Sequence, residues 1–280
     1  MLWGVSFVAT RVALETFHPA GLIASRLVLG SCVLLLLQLA SRTPLLPDAS
    51  DRLRVCLLGA ILGGHLLMQA FGLLHTSAIQ TGWIIAVIPV MIALAGRLVL
   101  GKRLSALSWL GIAVGAAGVG VVASADMPEF ENARFGDLLQ LLSCVSWTVY
   151  TLAAERPVAS SGALRTTSTA MIVAALMALV VASVTGWRTE TAPTGGLDAT
   201  GIAAVLFLGL GCNGFAFWLW MRGMARDGPA RISALLYLEP FVTLGAAVVL
   251  LDEPVTTHAL IGGGVVLFGV WLVGRGGRSG

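Results

Sequence analysis

Charge is what this sequence has least of. Asp, Glu, Lys and Arg together make up 11% of its 280 residues, where a soluble domain carries about 25% to keep its surface wetted. With 57% apolar residues and a mean hydropathy of +0.92, that shortage excludes a soluble α/β enzyme, a nucleic-acid binder and a disordered chain. Lysine is nearly absent, Lys102 standing alone against sixteen arginines. The four cysteines, Cys32, Cys56, Cys144 and Cys212, all fall in apolar runs. With no CxxC pair and no Cys/His cluster, neither a disulfide framework nor a metal site is indicated. No HExxH, GxSxG, P-loop or strand-borne GxGxxG occurs, so no catalytic residue and no cofactor is expected, and no nucleotide site for a primary pump.

What the chain has in abundance is apolar length and glycine, the latter at 34 residues, or about 12% against a usual 7%. Polar punctuation divides it into ten apolar stretches, at 1–14, 20–39, 55–74, 78–98, 106–124, 136–154, 168–186, 201–221, 232–251 and 257–274. Most have the length that crosses a hydrocarbon core of about 30 Å as a helix. They run without the alternation of a barrel strand. The expected fold is therefore an all-α polytopic membrane protein of ten transmembrane helices, with the lipid bilayer as its surroundings. The first stretch is short for a span and lacks the basic region of a cleavable signal. It reads either as a short or tilted helix or as the end of one that starts upstream. With the N-terminus inside, thirteen basic residues fall on inner segments and only Arg134 and Arg188 on outer ones. The positive-inside rule then places both termini in the cytoplasm.

The linker 125–135 splits the ten stretches into a first half, 1–124, and a second, 136–274, followed by a tail, 275–280. The last two stretches of each half overlay without gaps: Pro89 falls on Pro240, Lys102 on Glu253, Gly111 on Gly262 and Gly118 on Gly269. A repeat of five spans must place its second copy upside down, which is the inverted-repeat architecture of alternating-access carriers.

The residues along both halves resemble a known family. "LWGVSFVATRVALE" and "ASRLVLGSCVLLLL" open the first half, and "TSAIQTGWIIAVIPVMIALAGRLVLGKRLSALSWLGIAVGAAGVGVV" closes it. "GDLLQLLSCVSWTVYTL" opens the second half, and "ARISALLYLEPFVTLGAAVVLLDEPVTTHALIGGGVVLFGVWLV" closes it. Taken together they resemble the EamA branch of the drug/metabolite transporter superfamily, ten-span bacterial exporters. The resemblance implies efflux of amino acids or related small metabolites across the inner membrane, often coupled to protons. It departs at Lys102, where the family usually carries an acid; the counterpart Glu253 is retained.

Several residues are candidates for a transport cycle. Glu239 is an acid about 10 Å into its stretch by helical rise, where a carboxylate must be neutralised by a proton or a cation. It is the candidate proton-coupling and substrate-amine site, with a structural ion pair as the alternative. Arg26, also deep, suits a substrate carboxylate or a partnership with Glu239. Arg11, nearer a span end, reads as snorkelling to headgroups. Pro89 and Pro240 each free a carbonyl in mid-span and are candidate hinges, or static kinks. "GLGCNG" places Asn213 among three glycines, either as an unwound cavity-lining turn or as close packing. Trp83 and Tyr237 lie well inside their stretches and suit a cavity wall. Trp147, Tyr150 and His65 complete the candidate substrate site, with interfacial anchoring or core packing as the alternative. The expected partner is a small-molecule substrate, with a homodimer left open.

Overall fold

The protein is described by a computed structural model covering residues 1–100, 105–124, 132–188, 198–228 and 232–276. It is helical, with no strand among the described residues beyond an isolated bridge between Phe17 and Arg188. Helix α1 runs Leu2–Leu14, α2 Pro19–Ala40 and α3 Arg52–Leu73. The fourth apolar stretch is broken: α4 (Ala78–Ile85) stops two residues before α5 (Ile88–Leu100), whose second residue is Pro89. Helix α6 spans Ala106–Ala123, α7 Ala133–Ser161 and α8 Ala163–Thr185. Gly162, at φ +89°, makes the sharp junction between α7 and α8, a conformation available to glycine without steric cost.

The eighth stretch is a composite. Helix α9 (Ala199–Leu206) passes into a π-helical segment, Phe207–Ala216, and then into α10, Phe217–Asp227. A 3₁₀ turn, Ala234–Leu238, precedes α11, Glu239–Leu251, with Pro240 in its first turn. The last helix is α12, Thr257–Gly276. Serine and aspartate side chains start several of these helices: Ser77 accepts from Gln80 N, Ser105 from Ser108 N and Asp198 from Gly201 N. Each satisfies an N–H the helix itself cannot.

Seven helices among the described residues are long and apolar enough to cross a membrane. The remaining apolar stretches are helical too. Leu2–Leu14 and Leu235–Leu251 are shorter, and α7 is a 29-residue helix with Arg134, Asp137, Glu155 and Arg156 towards its ends.

Helix packing follows the small residues. Helices α6 and α12 form the most extensive pair. There a Cβ on Gly111 would come 2.5 Å from Gly269 O, and one on Gly118 2.8 Å from Gly262 O. Close backbone approach of this kind is how helices associate when lipid supplies no hydrophobic drive. Gly59 meets Ala170 and Val173 in the same manner where α3 crosses α8. Around the centre, α2 packs on α8 and on the π segment, and α3 on α7 and α8, while α1 and α4 both pack on α11.

Polar contacts concentrate at the two ends of the bundle. At the end carrying the α2–α3 and α7–α8 connections, the near end, Arg165 pairs with Asp48 at 2.9 Å. Asp51 accepts from the hydroxyls of Ser160 and Ser161, and Ser168 donates to Gln38 Oε1 at 2.7 Å. At the far end, His18 N donates to Trp187 O at 3.1 Å. Arg11 donates to Leu73 O at 2.7 Å and lies within electrostatic reach of Glu253. Arg11, expected to snorkel, thus reaches a backbone carbonyl at the end of α3.

Candidate functional site

A cavity of about 50 Å³ lies at the centre of the bundle, lined among others by Trp3, Arg26, His65, Trp147, Asn213 and Glu239. Its residues come from α1, α2, α3, the α4–α5 break, α7, the π segment and the 3₁₀–α11 junction, so the irregular backbone converges on it. Ile85 and Ile88 flank the break and both line the cavity. Non-helical backbone at such depth is tolerated where it borders a cavity or is covered by protein.

Arg26 is buried at 4% exposure and fixed along one edge: Nε donates to Asn213 Oδ1 at 2.7 Å and Nη1 reaches Thr10 Oγ1 at 3.5 Å. The π segment makes that possible. Gly30 leaves room for it, since a Cβ there would come 2.7 Å from Asn213 Cβ, and Gly209 and Gly214 seat on Leu29 and Val33 of α2. The widened turn aims Asn213 at the arginine, a use of π geometry common at functional sites. A guanidinium has five N–H donors, so most of its fork still faces the cavity.

Glu239 lines the same cavity at 5% exposure. Its carboxyl makes no hydrogen bond or ion pair among the described residues, although the N-terminal amine lies within electrostatic reach. Arg26 and Glu239 therefore do not form the ion pair left open above, although both line one small chamber. His65 Nδ1 lies 2.9 Å from Ser143 O. A carbonyl can only accept, so Nδ1 carries the proton and Nε2 is left as an acceptor.

The aromatic wall is a cluster. Trp3 meets Trp147 edge-on with centroids 5.4 Å apart and lies 5.2 Å from Trp220, and His65 sits 5.2 Å from Trp147. Tyr150 stacks on Trp147 at 5.5 Å, fully buried behind it, so it supports the wall without lining it. Trp147 Nε1 is buried with no protein acceptor.

Two expected wall residues lie elsewhere. Trp83 is buried but packs on Gly263 of α12 and on Phe241, its ring centroid 5.8 Å from that of Phe241. Tyr237, in the 3₁₀ turn, is half-buried and lies outside the lining. Helical phase turns both from the chamber. Pro89 and Pro240 each stand just after a break in their stretch. Lys102 lies outside the described residues. Among those residues no three His, Cys, Asp or Glu side chains group as metal ligands.

Asp137, which sequence analysis did not single out, is 1% exposed inside the bundle. The signal was available. Asp137, Gln140, Ser143 and Trp147 recur at helical spacing on one face of α7, and all are buried, the polar stripe of a helix facing protein rather than lipid.

The EamA-like transporter family matches residues 1–124 and 134–275. The chain belongs to that family. Among the relatives of this EamA-like protein is a probable terminal-alkyne amino-acid exporter of Streptantibioticus cattleyicolor. It is 32% identical, over 98% of this chain and 90% of the relative. An uncharacterized transporter of Archaeoglobus fulgidus is 26% identical over 97% of this chain and 93% of its own length. The uncharacterized inner membrane transporter YedA of Escherichia coli is 26% identical over 99% and 88%. A protein crystal structure sharing 22% identity superposes with a TM-score of 0.72, covering 99% of the EamA-like chain and 94% of its own. That likeness is one of fold.

Proposed function

We propose that this multi-pass membrane protein is a secondary exporter of amino acids or closely related zwitterionic metabolites. In this reading it works by alternating access, with Glu239 as the proton-coupling carboxylate. The observation that carries the proposal is that a guanidinium and a carboxyl line one chamber with no ion pair between them. Arg26, held by Asn213, offers donors to a carboxylate, and Glu239 faces an ammonium group. Trp3 and Trp147 give the rest of the solute a face for apolar and cation–π contact. Glu239 can hold the ammonium or a proton but not both, which is the exchange an antiporter requires. The name of the Streptantibioticus relative points to the same solute class.

The architecture proposed is ten spans in two inverted halves, in a bacterial inner membrane with both termini cytoplasmic. Support comes from the packing, several of whose pairs recur when each stretch is exchanged for the one five places on. Thus α2 on the π segment answers α8 on α3, and α1 on α11 answers α7 on α4 and α5. The overlaid glycines pair crosswise, Gly111 with Gly269 and Gly118 with Gly262. The excess of arginine on the near-end connections supports the orientation. Pro89 and Pro240 are the proposed hinges, each beside a broken helix that borders the chamber.

The test is flux into proteoliposomes of the purified protein with an imposed pH gradient and a pool of labelled amino acids. Accumulation that collapses when the gradient is dissipated is the expected result. Glu239→Gln is expected to retain downhill exchange and lose the dependence on the gradient. Equilibration without accumulation in the wild type would make the protein a facilitator. An unchanged pH dependence in the variant would remove Glu239 from the coupling role.

A further inference from the structure

Two carboxylates outside the central chamber converge on one short element. Glu253, just after α11, accepts from Ala78 N at 2.9 Å through Oε1 and from Ile79 N at 3.1 Å through Oε2. It therefore sits on the N-terminus of α4, where unpaired N–H groups and the helix dipole favour an anion. Asp137, at the start of α7, accepts from Thr76 Oγ1 at 2.7 Å and from Gln80 Nε2 at 2.6 Å. Two carboxylates of the second half, one on α7 and one in the α11–α12 connection, thus accept four hydrogen bonds from residues 76–80 of the first. Both acceptors are carboxylates, and a hydrogen bond to a charged acceptor is about twice as strong as a neutral one.

Helix α4 is only eight residues long and ends at the break before α5, where Ile85 and Ile88 border the chamber. Across the halves it also packs on α7, α11 and α12: Gly82 lies against Thr243 of α11, which in turn donates to Gly4 O, and Trp83 lies against Gly263 of α12. Swinging α4 about the break at Ala86 and Val87 would carry its first turn away from both carboxylates and open the chamber towards the far end. Arg11, beside Glu253 and bonded to Leu73 O, sits at the same seam.

We infer that Asp137 and Glu253 are the two halves of a latch on α4 that holds the far end of the carrier shut and must release for the chamber to open on that side. The inference rests on the alternating-access reading, and its experiment reads conformation separately from flux. Spin labels are placed at exposed Leu74 and Val255, on either side of the latch, in a chain whose four native cysteines are replaced by alanine. The wild type is expected to give one dominant short distance. The double variant Glu253→Gln and Asp137→Asn keeps side-chain size but removes both charges, and is expected to raise a longer-distance population by about tenfold or more. An unchanged distance distribution in the folded double variant overturns the latch.

Should the double variant fail to fold, the wild-type background carries the decision. Cysteines at 74 and 255 joined by a short cross-linker are expected to arrest exchange reversibly on cleavage of the linker. Full exchange through the cross-linked protein overturns the latch while leaving the transport reading intact. An uncross-linked protein without any flux speaks against the transport reading alone, since the distance measurement does not depend on it.

Discussion

Replacing Arg26 with lysine keeps the positive charge in the chamber but removes the planar fork. Arg26 Nε is committed to Asn213 Oδ1 at 2.7 Å and Nη1 leans on Thr10, leaving the other N–H groups for a ligand. A lysine ammonium is a single point of donation and cannot hold Asn213 and a substrate carboxylate with the same geometry. One charge-assisted hydrogen bond is lost, worth about 1.5–3 kcal/mol, which corresponds to about a 10- to 150-fold weaker apparent affinity. The assay is the concentration dependence of uptake, in proteoliposomes, of a labelled amino acid that the wild type moves, with its decarboxylated amine as competitor. Arg26→Lys is expected to raise KM for the acid within that range while leaving inhibition by the amine unchanged. If acid and amine weaken equally, or if neither changes, Arg26 does not read a carboxylate and the assignment of the chamber's two ends is wrong.

Packing and the near-end clamp provide two further tests. A Cβ on Gly269 would come 2.4 Å from Gly115 N and 2.6 Å from Gly111 O, and backbone cannot yield as a flexible side chain does. Gly269→Ala is expected to destabilise the detergent-solubilised protein by about 3 kcal/mol, whereas Gly120→Ala, with nothing within 4 Å, leaves its thermal midpoint unchanged. Asp51 is held below the usual carboxylate range by the Ser160 and Ser161 hydroxyls, against the opposing effect of burial and with help from Arg54. The resulting stability is present above the ordinary carboxylate pKa and is lost as pH falls below about 4 through the depressed value. The thermal midpoint of Asp51→Asn is expected to be lower at neutral pH and to lose that part of the acid sensitivity. A variant as acid-sensitive as the wild type would show that other carboxylates carry it.

Much of this molecule was legible from one dimension because lipid imposes one strong rule. A chain crossing hydrocarbon must satisfy its own backbone polar groups, so apolar length alone located each helical stretch and punctuation located each connection. The overlay of Pro89 on Pro240 likewise marked both broken helices, since proline cannot continue a helix without losing a bond but fits the first turn of a new one. Phase around the helix was harder. Lipid is as apolar as a protein core, so an aromatic such as Trp83 carries no mark of which way it faces, and depth alone suggested a chamber wall. Polar side chains behave differently, because lipid rejects them. Arg26, His65, Asn213 and Glu239 could be singled out in sequence, and all four line one chamber.

What the sequence by itself determined is thus the helical class, the stretches and the short roster of polar residues that cannot face hydrocarbon. Tertiary structure alone decided how those residues relate. Arg26 bonds Asn213, 187 positions away, because a π-helical turn and Gly30 let two backbones meet. Glu239 forms no ion pair among the described residues, although an arginine lines the same chamber. Asp137 lies inside the bundle and not in a loop, and Glu253 reaches the N-terminus of a helix in the other half. Each of these is a matter of distance and phase between helices, set by side-chain volume at their crossings, and no local pattern along the chain encodes it.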